Sequence, residues 1–409
     1  MGWSTPLYPH AHSLVLMTLS LSFLFLASEM WRVRTATVHN TPILVYLNRA
    51  KKLVPRSFVY TNETLSSRKV LGNHGLEEQE SESALIPSRY AQLIEQYNIT
   101  SFNTTEYKGR FDITLVVPLS YNQLICLSVL EKRWRGPGIA VIFVQNTDRS
   151  VFESELMSRK IKPRMKLIPI FIEYFKYFPI NLLRNIAIAH VKTTHFLIVD
   201  LYTWPSERLY RNLLQLPRKY LEDEKLGVVI PAFAMVKESD DGSISDCVNF
   251  FQSLYPPNIH ILNNLINANR TTPLNTLGHV AQYIPDHWLE TSQAVSMSSD
   301  SLLEDMKCCD TSKEMLFVML RKTAEIPPFD TRFVNYGFNR QEWTEHLRSK
   351  GYSFKVFRDG YLVEVPHVTS PFKNQFLDRA KEERGRMVYP NQKLFEKKMK
   401  VYGEGTKCV

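Results

Sequence analysis

Residues 181–206, NLLRNIAIAHVKTTHFLIVDLYTWPS, hold a helical segment that feeds an apolar strand, and the strand ends on a single acid, Asp200. In an open α/β sheet, ligands bind in the crevice outside the carboxyl ends of the strands, so an acid there is placed to meet one. An Asp before a turn also commonly serves as a strand-end or helix-capping carboxylate, and that is the structural alternative for Asp200.

The surrounding sequence repeats the pattern. From Phe111 the chain reads FDITLVVPL, QLICLSVLEKRW, GIAVIFVQN, FESELMSRK and KLIPIFI. Next come a helix at about 181–192, the strand HFLIVD at 195–200, a helix at about 206–221 and the strand GVVIPAF at 227–233. Strands alternating with helices of this length predict βαβ crossovers and an α/β fold with a mostly parallel central sheet covered on both faces. Neither G-x-G-x-x-G nor G-x-x-x-x-G-K-[ST] occurs, which counts against a Rossmann dehydrogenase and a P-loop enzyme. After about residue 240 the rhythm becomes irregular, with an Asn-rich segment at 258–276 and a charged stretch near 300–314. Order returns with EMLFVML at 314–320, the loop PPFDTRFVNYGFNR at 327–340, a helix near 341–350 and strands near 353–357 and 361–365. Strands this short read as additions to an existing sheet, so this portion belongs to the same domain.

Composition sets the class. A chain of 409 residues, 44% hydrophobic and 12% aromatic, can fill a sizeable core. The net charge of +9 is spread along the sequence, its nearest cluster being Lys397, Lys398 and Lys400, and no nucleic-acid-binding motif accompanies it. After a short tail at 1–12, residues 13–28 are strongly apolar, and they read as a signal anchor or signal peptide. The absence of Lys and Arg from residues 1–12 favours the anchor, while Arg32 and Arg34 just after the apolar run oppose a lumenal C-terminus. Residues 29–108 are polar, with EEQESES at 77–83, and read as a stem in which RYAQLIEQY at 89–97 can form a short helix. Asn62, Asn98, Asn103 and Asn269 begin N-glycosylation sequons. Five cysteines, Cys126, Cys247, Cys308, Cys309 and Cys408, allow one or two disulfides in an oxidising lumen and show no C-x-x-C metal spacing.

Three segments occur together in a recognisable order: PINLLRNIAIAHVKTTHFLIVDLYTWPS at 179–206, PFDTRFVNYGFNR at 328–340 and VEVPHVTSPF at 363–372. From roughly Phe111 to Tyr402 the chain resembles the LARGE-like β-1,4-glucuronyltransferases of glycosyltransferase family 49. That resemblance implies a GT-A-type nucleotide-sugar-binding domain over 109–402, with a donor half at about 109–240 and an acceptor half at about 241–402, followed by a tail at 403–409. It also implies inverting transfer of glucuronic acid from a UDP-sugar to a xylose-type glycan acceptor, with Mn²⁺. The expected location is the Golgi or ER membrane, as a single-pass type II protein with a lumenal catalytic domain. Secretion is the alternative, and homo- or hetero-oligomerisation stays open.

The resemblance also assigns residues. A departing UDP needs its charge stabilised, and a bound Mn²⁺ is the common solution. The family's Asp-x-Asp and a distant His fall on Asp200, Tyr202 and His367, so the motif is degenerate, because a phenol of ordinary pKa near 10 is a poor ligand at neutral pH. Three outcomes follow: weak metal binding, donor binding without metal, or a silent site. Arg184 and Asn185 fall on the donor side, and Arg184 is the candidate to replace missing metal charge. Asp330 and Glu342 are the candidate bases, and Arg332 and Tyr336 the candidate acceptor contacts. Phe329, Phe333 and Phe338 read mainly as core residues, as do Trp204 and Trp288. Two rival functions stand beside transfer of glucuronic acid: a pseudoenzyme that binds glycans or stabilises a partner, and a metal-independent transferase of another sugar.

Overall fold

The apolar run at Ile113 forms strand β1 (Ile113–Ser120), in which every residue but the last is buried. Continuous burial of this kind is what a parallel sheet covered on both faces requires. In this computed structural model the described residues are 90–402, without 98, 159–160, 174–176, 237–254, 275–280, 293–298, 307–313, 368–373, 375–377, 380, 384–385 and 389–390. The apolar segment 13–28, most of the stem, the tail 403–409 and the sequons at Asn62 and Asn98 lie outside them. Among the described residues, no helix is long and apolar enough to cross a membrane.

After β1 the chain runs through helix α1 (Leu124–Arg133), β2 (Gly138–Gln145), α2 (Arg149–Ser158), β3 (Met165–Ile172), α3 (Ile180–His190) and β4 (His195–Ile198). β1 pairs in parallel with both β2 and β4, and β2 in parallel with β3, giving the local order β3-β2-β1-β4. The order reverses between β1 and β4, which makes that gap the topological switch point. Pro118 lies beside it. Leu115 donates its N–H to the Pro137 carbonyl on the β2 side, so by strand alternation Pro118 faces β4. Pairing between those strands stops at Val116 with Ile198, and a residue without an N–H sits just beyond, where no ladder bond is asked of it. Asp200 follows β4 at this opening.

The remaining strands are β5 (Thr203–Pro205), β6 (Leu226–Val229), β7 (Ala232–Met235), β8 (Thr271–Pro273), β9 (Ala281–Gln282), β10 (Leu303–Asp305), β11 (Glu314–Met315), β12 (Val318–Arg321), β13 (Ser353–Phe357), β14 (Leu362–Glu364), β15 (Lys381–Glu383) and β16 (Arg386–Val388). The central sheet has the order β10-β13-β6-β12-β4-β1-β2-β3. Six of its eight strands run the same way, in line with the mostly parallel expectation, and the sheet is mixed because β12 runs antiparallel to β4 and β6, and β10 antiparallel to β13. β12 arrives by a long connection from outside the βαβ series, and such a connection does not impose the parallel sense that a crossover helix does. The fold class itself, α/β, is as expected.

Prolines explain two further differences. GVVIPAF is not one strand, because at Ile230 and Pro231 the chain leaves the central sheet for a second sheet of order β5-β14-β7-β8. There Ile230 donates to the Phe317 carbonyl, and the Pro231 carbonyl accepts from Leu362. The helix expected over 206–221 is broken before Pro217 into Leu209–Leu213 and Arg218–Glu222. The packed chain also begins earlier than residue 109. Tyr90, Ile99 and Phe102 are each 2% exposed in the main core, so the end of the expected stem belongs to the domain. Trp204 and Trp288 are fully buried, with their indole N–H groups donating to Leu201 and Phe357 carbonyls, and both are packing residues. Helices α4 (Asn339–Ser349) and α5 (Gln392–Tyr402) pack on each other.

Candidate functional site

Helix α3 carries three buried polar residues, Asn181, Arg184 and Asn185, on one face at helical spacing. Each reaches a different part of the 328–340 loop or the start of α4. Asn181 Nδ2 donates to the Asp330 carbonyl at 2.8 Å. Asn185 clamps Phe329 twice, donating to its carbonyl at 2.8 Å and accepting from its N–H at 2.9 Å. Arg184 donates to Asn339 Oδ1 at 2.8 Å, to Asn181 Oδ1 at 3.1 Å and to Asp200 Oδ1 at 3.4 Å. Asn185, a candidate donor contact in the sequence, is 1% exposed and holds the loop.

The loop turns sharply to deliver a second cation. Asn335, Gly337 and Phe338 all have positive φ, and Phe338 at +61° is a bulky residue in the left-handed region, which costs roughly 1–2 kcal/mol. Phe338 is held there by burial against Phe395. The turn places Arg340 in the first turn of α4, and its Nη2 donates to Asp200 Oδ1 at 2.8 Å. Nothing in the sequence reading singled Arg340 out. One signal was available: a cation at a helix N-terminus opposes the macrodipole and needs an acid elsewhere.

Asp200 Oδ1 thus takes both guanidiniums, while the carboxylate keeps 45% of its side-chain surface open. Arg184 and Arg340 keep 3% and 8%. Burial works against the acid's charge, but Arg340 and then Arg184 outweigh it and hold the carboxyl below its usual range. Burial, followed by the like charge of Arg340, pushes Arg184 down to about 9, so it stays charged at neutral pH. One acid and two cations leave this end of β4 with a net charge of +1.

Tyr202 and His367 come together as the sequence predicted, but they meet face to face. Their rings stack with centroids 4.0 Å apart and planes 5° apart. Val365 donates its N–H to the Tyr202 carbonyl, which ties the two segments alongside the β5–β14 pairing. His367 Nδ1 lies 3.0 Å from the Val365 carbonyl, which can only accept, so that nitrogen carries the proton. Burial raises the Tyr202 phenol, against a smaller opposing effect of the Gln123 amide that donates to its oxygen at 3.4 Å.

These residues do not fit Mn²⁺. The phenol stays protonated and the one carboxylate gives an oxygen to two guanidiniums, so a single imidazole remains as an ordinary ligand. Two buried guanidiniums at the one carboxylate would repel a divalent cation held there. Among the described residues, no group of three or more His, Cys, Asp or Glu is arranged to hold a metal ion.

The two candidate bases are also otherwise engaged. Asp330 is bound by Arg332 at 2.5 Å and Lys398 at 2.7 Å. Those partners outweigh burial and lower its carboxyl to about 2, too weak for a base. Glu342 is pushed up to about 7, mainly by burial, which suits a base. It is fully enclosed, however, and accepts a hydrogen bond from Tyr402 at the end of α5, so no acceptor reaches it in this conformation. Arg332 is spent on Asp330, and Tyr336 is half-buried on the loop. Cys126 is buried and disulfide-bonded, and Asn103 and Asn269 are exposed.

A strand-end acid at the switch point, set against two buried cations, is the candidate site of this α/β protein. The chain belongs to the family described as "Glycosyl-transferase for dystroglycan", which matches residues 155–401, more than half of its length. It is 22% identical over 276 residues to the glycosyltransferase-like protein gnt14 of Dictyostelium discoideum, covering 66% of this chain and 39% of that protein. It is also 22% identical over 265 residues to xylosyl- and glucuronyltransferase LARGE1 of Mus musculus, covering 63% of this chain and 32% of that one. The chain therefore spans about two fifths or less of these relatives' length. Among solved structures, GalNAc-T7 with UDP, GalNAc and Mn²⁺ matches with a TM-score of 0.39 and 9% identity, over 77% of this chain and 58% of that one. TarS 1-349 of S. aureus matches with a TM-score of 0.33 and 14% identity, over 62% and 60%.

Proposed function

We propose that this chain is a GT-A-type glycosyltransferase that binds a UDP-sugar at the Asp200 crevice and transfers the sugar to a glycan hydroxyl in the secretory pathway. The observation that carries this reading is the half-open Asp200 carboxylate at the β1/β4 switch point, set against Arg184 and Arg340, where an anionic donor finds net positive charge. In the reaction, the acceptor oxygen bonds to the anomeric carbon. The bond from that carbon to the diphosphate breaks with its electron pair going to UDP, and the hydroxyl proton passes to solvent or to the departing diphosphate. Glucuronic acid and a xylose-type acceptor are the first donor and acceptor to try, because the family's LARGE1 members are named for xylosyl and glucuronyl transfer. An apolar segment at 13–28 and the exposed sequons at Asn103 and Asn269 fit a Golgi or ER lumenal setting.

A second reading has its own support. Asp330 is bound by Arg332 and Lys398, and Glu342 is enclosed with one oxygen on Tyr402, which favours a protein that binds donor or glycan without turning it over. The test is incubation of the purified full chain with a panel of UDP-sugars and xylose-terminated acceptors, read by mass spectrometry of the glycan. Transfer that disappears in Asp200→Ala supports the enzyme. UDP-sugar binding without any product supports the binder, and absence of both overturns the nucleotide-sugar reading.

A further inference from the structure

We propose that the Arg184–Arg340 pair takes the place of a divalent cation at the donor diphosphate, with Asp200 as the residue that positions the two guanidiniums. This rests on the nucleotide-sugar reading above and goes further by naming what carries the charge. The first observation is the state of the metal positions: a protonated phenol stacked on an imidazole at 4.0 Å, and a single acid already shared by two cations. The second is that Arg184 Nε is buried and has no hydrogen-bond partner. An arginine set this deeply with an unused donor is incompletely satisfied by the protein alone. The third is the backbone. Phe338 is held at positive φ, without a side-chain cap, to bring a cation into the first turn of α4 against the helix dipole.

Together these features concentrate two guanidiniums at one carboxylate oxygen. Guanidinium presents a planar fork of N–H donors that matches phosphate oxygens in pairs, and its charge persists at any physiological pH. A diphosphate entering beside the half-open Asp200 carboxylate would draw onto its oxygens the two guanidiniums that lie behind that acid. The Phe317 ring lies 4.4 Å from the Arg340 guanidinium carbon, and the Phe329 ring 5.2 Å from that of Arg184, so both groups rest on aromatic faces and keep their orientation.

The experiment is isothermal titration of the full chain with UDP and with uridine, each in excess EDTA and in Mn²⁺. It is repeated on Arg340→Gln and Arg340→Lys, with thermal melts confirming that each variant is folded. The expected result is UDP binding that differs less than twofold between EDTA and Mn²⁺ and is at least tenfold tighter than uridine. Arg340→Gln should lose tenfold or more of the UDP affinity, and Arg340→Lys, which keeps charge but lacks the fork, a smaller share. UDP binding that needs Mn²⁺ overturns the proposal and leaves the nucleotide-sugar reading standing. Equal binding of UDP and uridine, or a folded Arg340→Gln with unchanged UDP affinity, overturns it as well. If a variant does not fold, the metal comparison on the unaltered chain decides. No binding of UDP in any condition removes the nucleotide-sugar reading together with the proposal.

Discussion

Two ionic clusters lie near the 328–340 loop, and they are built the opposite way round. At the end of β4, the acid is open and the cations are buried, with Asp200 45% exposed against 3% for Arg184 and 8% for Arg340. Beneath the C-terminal helix, the acids are buried and the cations face outward. Asp330 and Glu342 keep 11% and 0%, while Arg332 and Lys398 keep 35% and 23%. The second cluster sets two acids, of which Glu342 is raised to about 7, against two cations, whereas the first sets one acid against two cations. A closed cluster holds structure; a half-open one with positive charge left over is placed to receive an anion.

Removing the anchor between the two clusters should have the largest effect on stability. Asn185→Ala leaves the Phe329 N–H and carbonyl buried without partners, at roughly 1–3 kcal/mol each before any relaxation. Urea denaturation should show a loss of about 3 kcal/mol, with donor affinity falling alongside. A loss under 1 kcal/mol would mean that the loop does not depend on the clamp.

Next come the acids themselves. Asp200→Ala leaves two buried guanidiniums unpaired, and a fully buried pair broken this way costs roughly 3–5 kcal/mol. Half-exposure of the carboxylate reduces that to about 2 kcal/mol. Asp330→Ala strands only Arg332 and Lys398, which can turn to water, so the loss should be about 1 kcal/mol. If the two losses are reversed, the contrast between the clusters is wrong.

The second cluster also predicts a dependence on pH. Glu342 is raised from its ordinary value to about 7, so the folded state binds its proton more tightly than the unfolded chain does. Its contribution is complete below pH about 4.5 and is lost as pH rises through about 7. Asp330, lowered to about 2, acts in the other direction: its contribution is present above pH about 4 and is lost as pH falls towards 2. Between pH 5 and 8, Glu342→Gln should therefore remove a component of stability that falls with rising pH, so that stability rises more, or falls less, across this window than in the unaltered chain. Identical slopes would show that Glu342 is not proton-linked to folding.

The smallest effect belongs to the stacked rings. His367→Ala should cost roughly 0.5–1.5 kcal/mol of stability, as an aromatic pair does, and change UDP affinity by no more than about twofold. A large loss of affinity would return His367 to the role of metal ligand.

How much of this was legible in the sequence follows from range. β1 to β4 and their helices could be read because each is specified by its own apolar pattern, and Asp200 stood out because the pattern stops there. The pairing of Tyr202 with His367 was legible only through the family's motifs, which set the two positions together but not ring against ring. Arg340 closed the quoted loop motif, yet its partner lies 140 residues earlier in the chain, and only the fold brings them together. The same holds for Glu342, whose enclosure depends on a helix that ends at Tyr402. The two reversed strands, β10 and β12, escaped because strand direction is set by the connections, and those fell in the irregular region after 240.

The most direct test is a crystal structure of the full chain grown with UDP in the presence of chelator. The account predicts the β-phosphate within hydrogen-bonding distance of the Arg340 guanidinium, on the open side of Asp200, with the Tyr202–His367 stack intact. UDP bound away from β4, or ordered only when Mn²⁺ is supplied and then through a cation on Asp200 and His367, would contradict it.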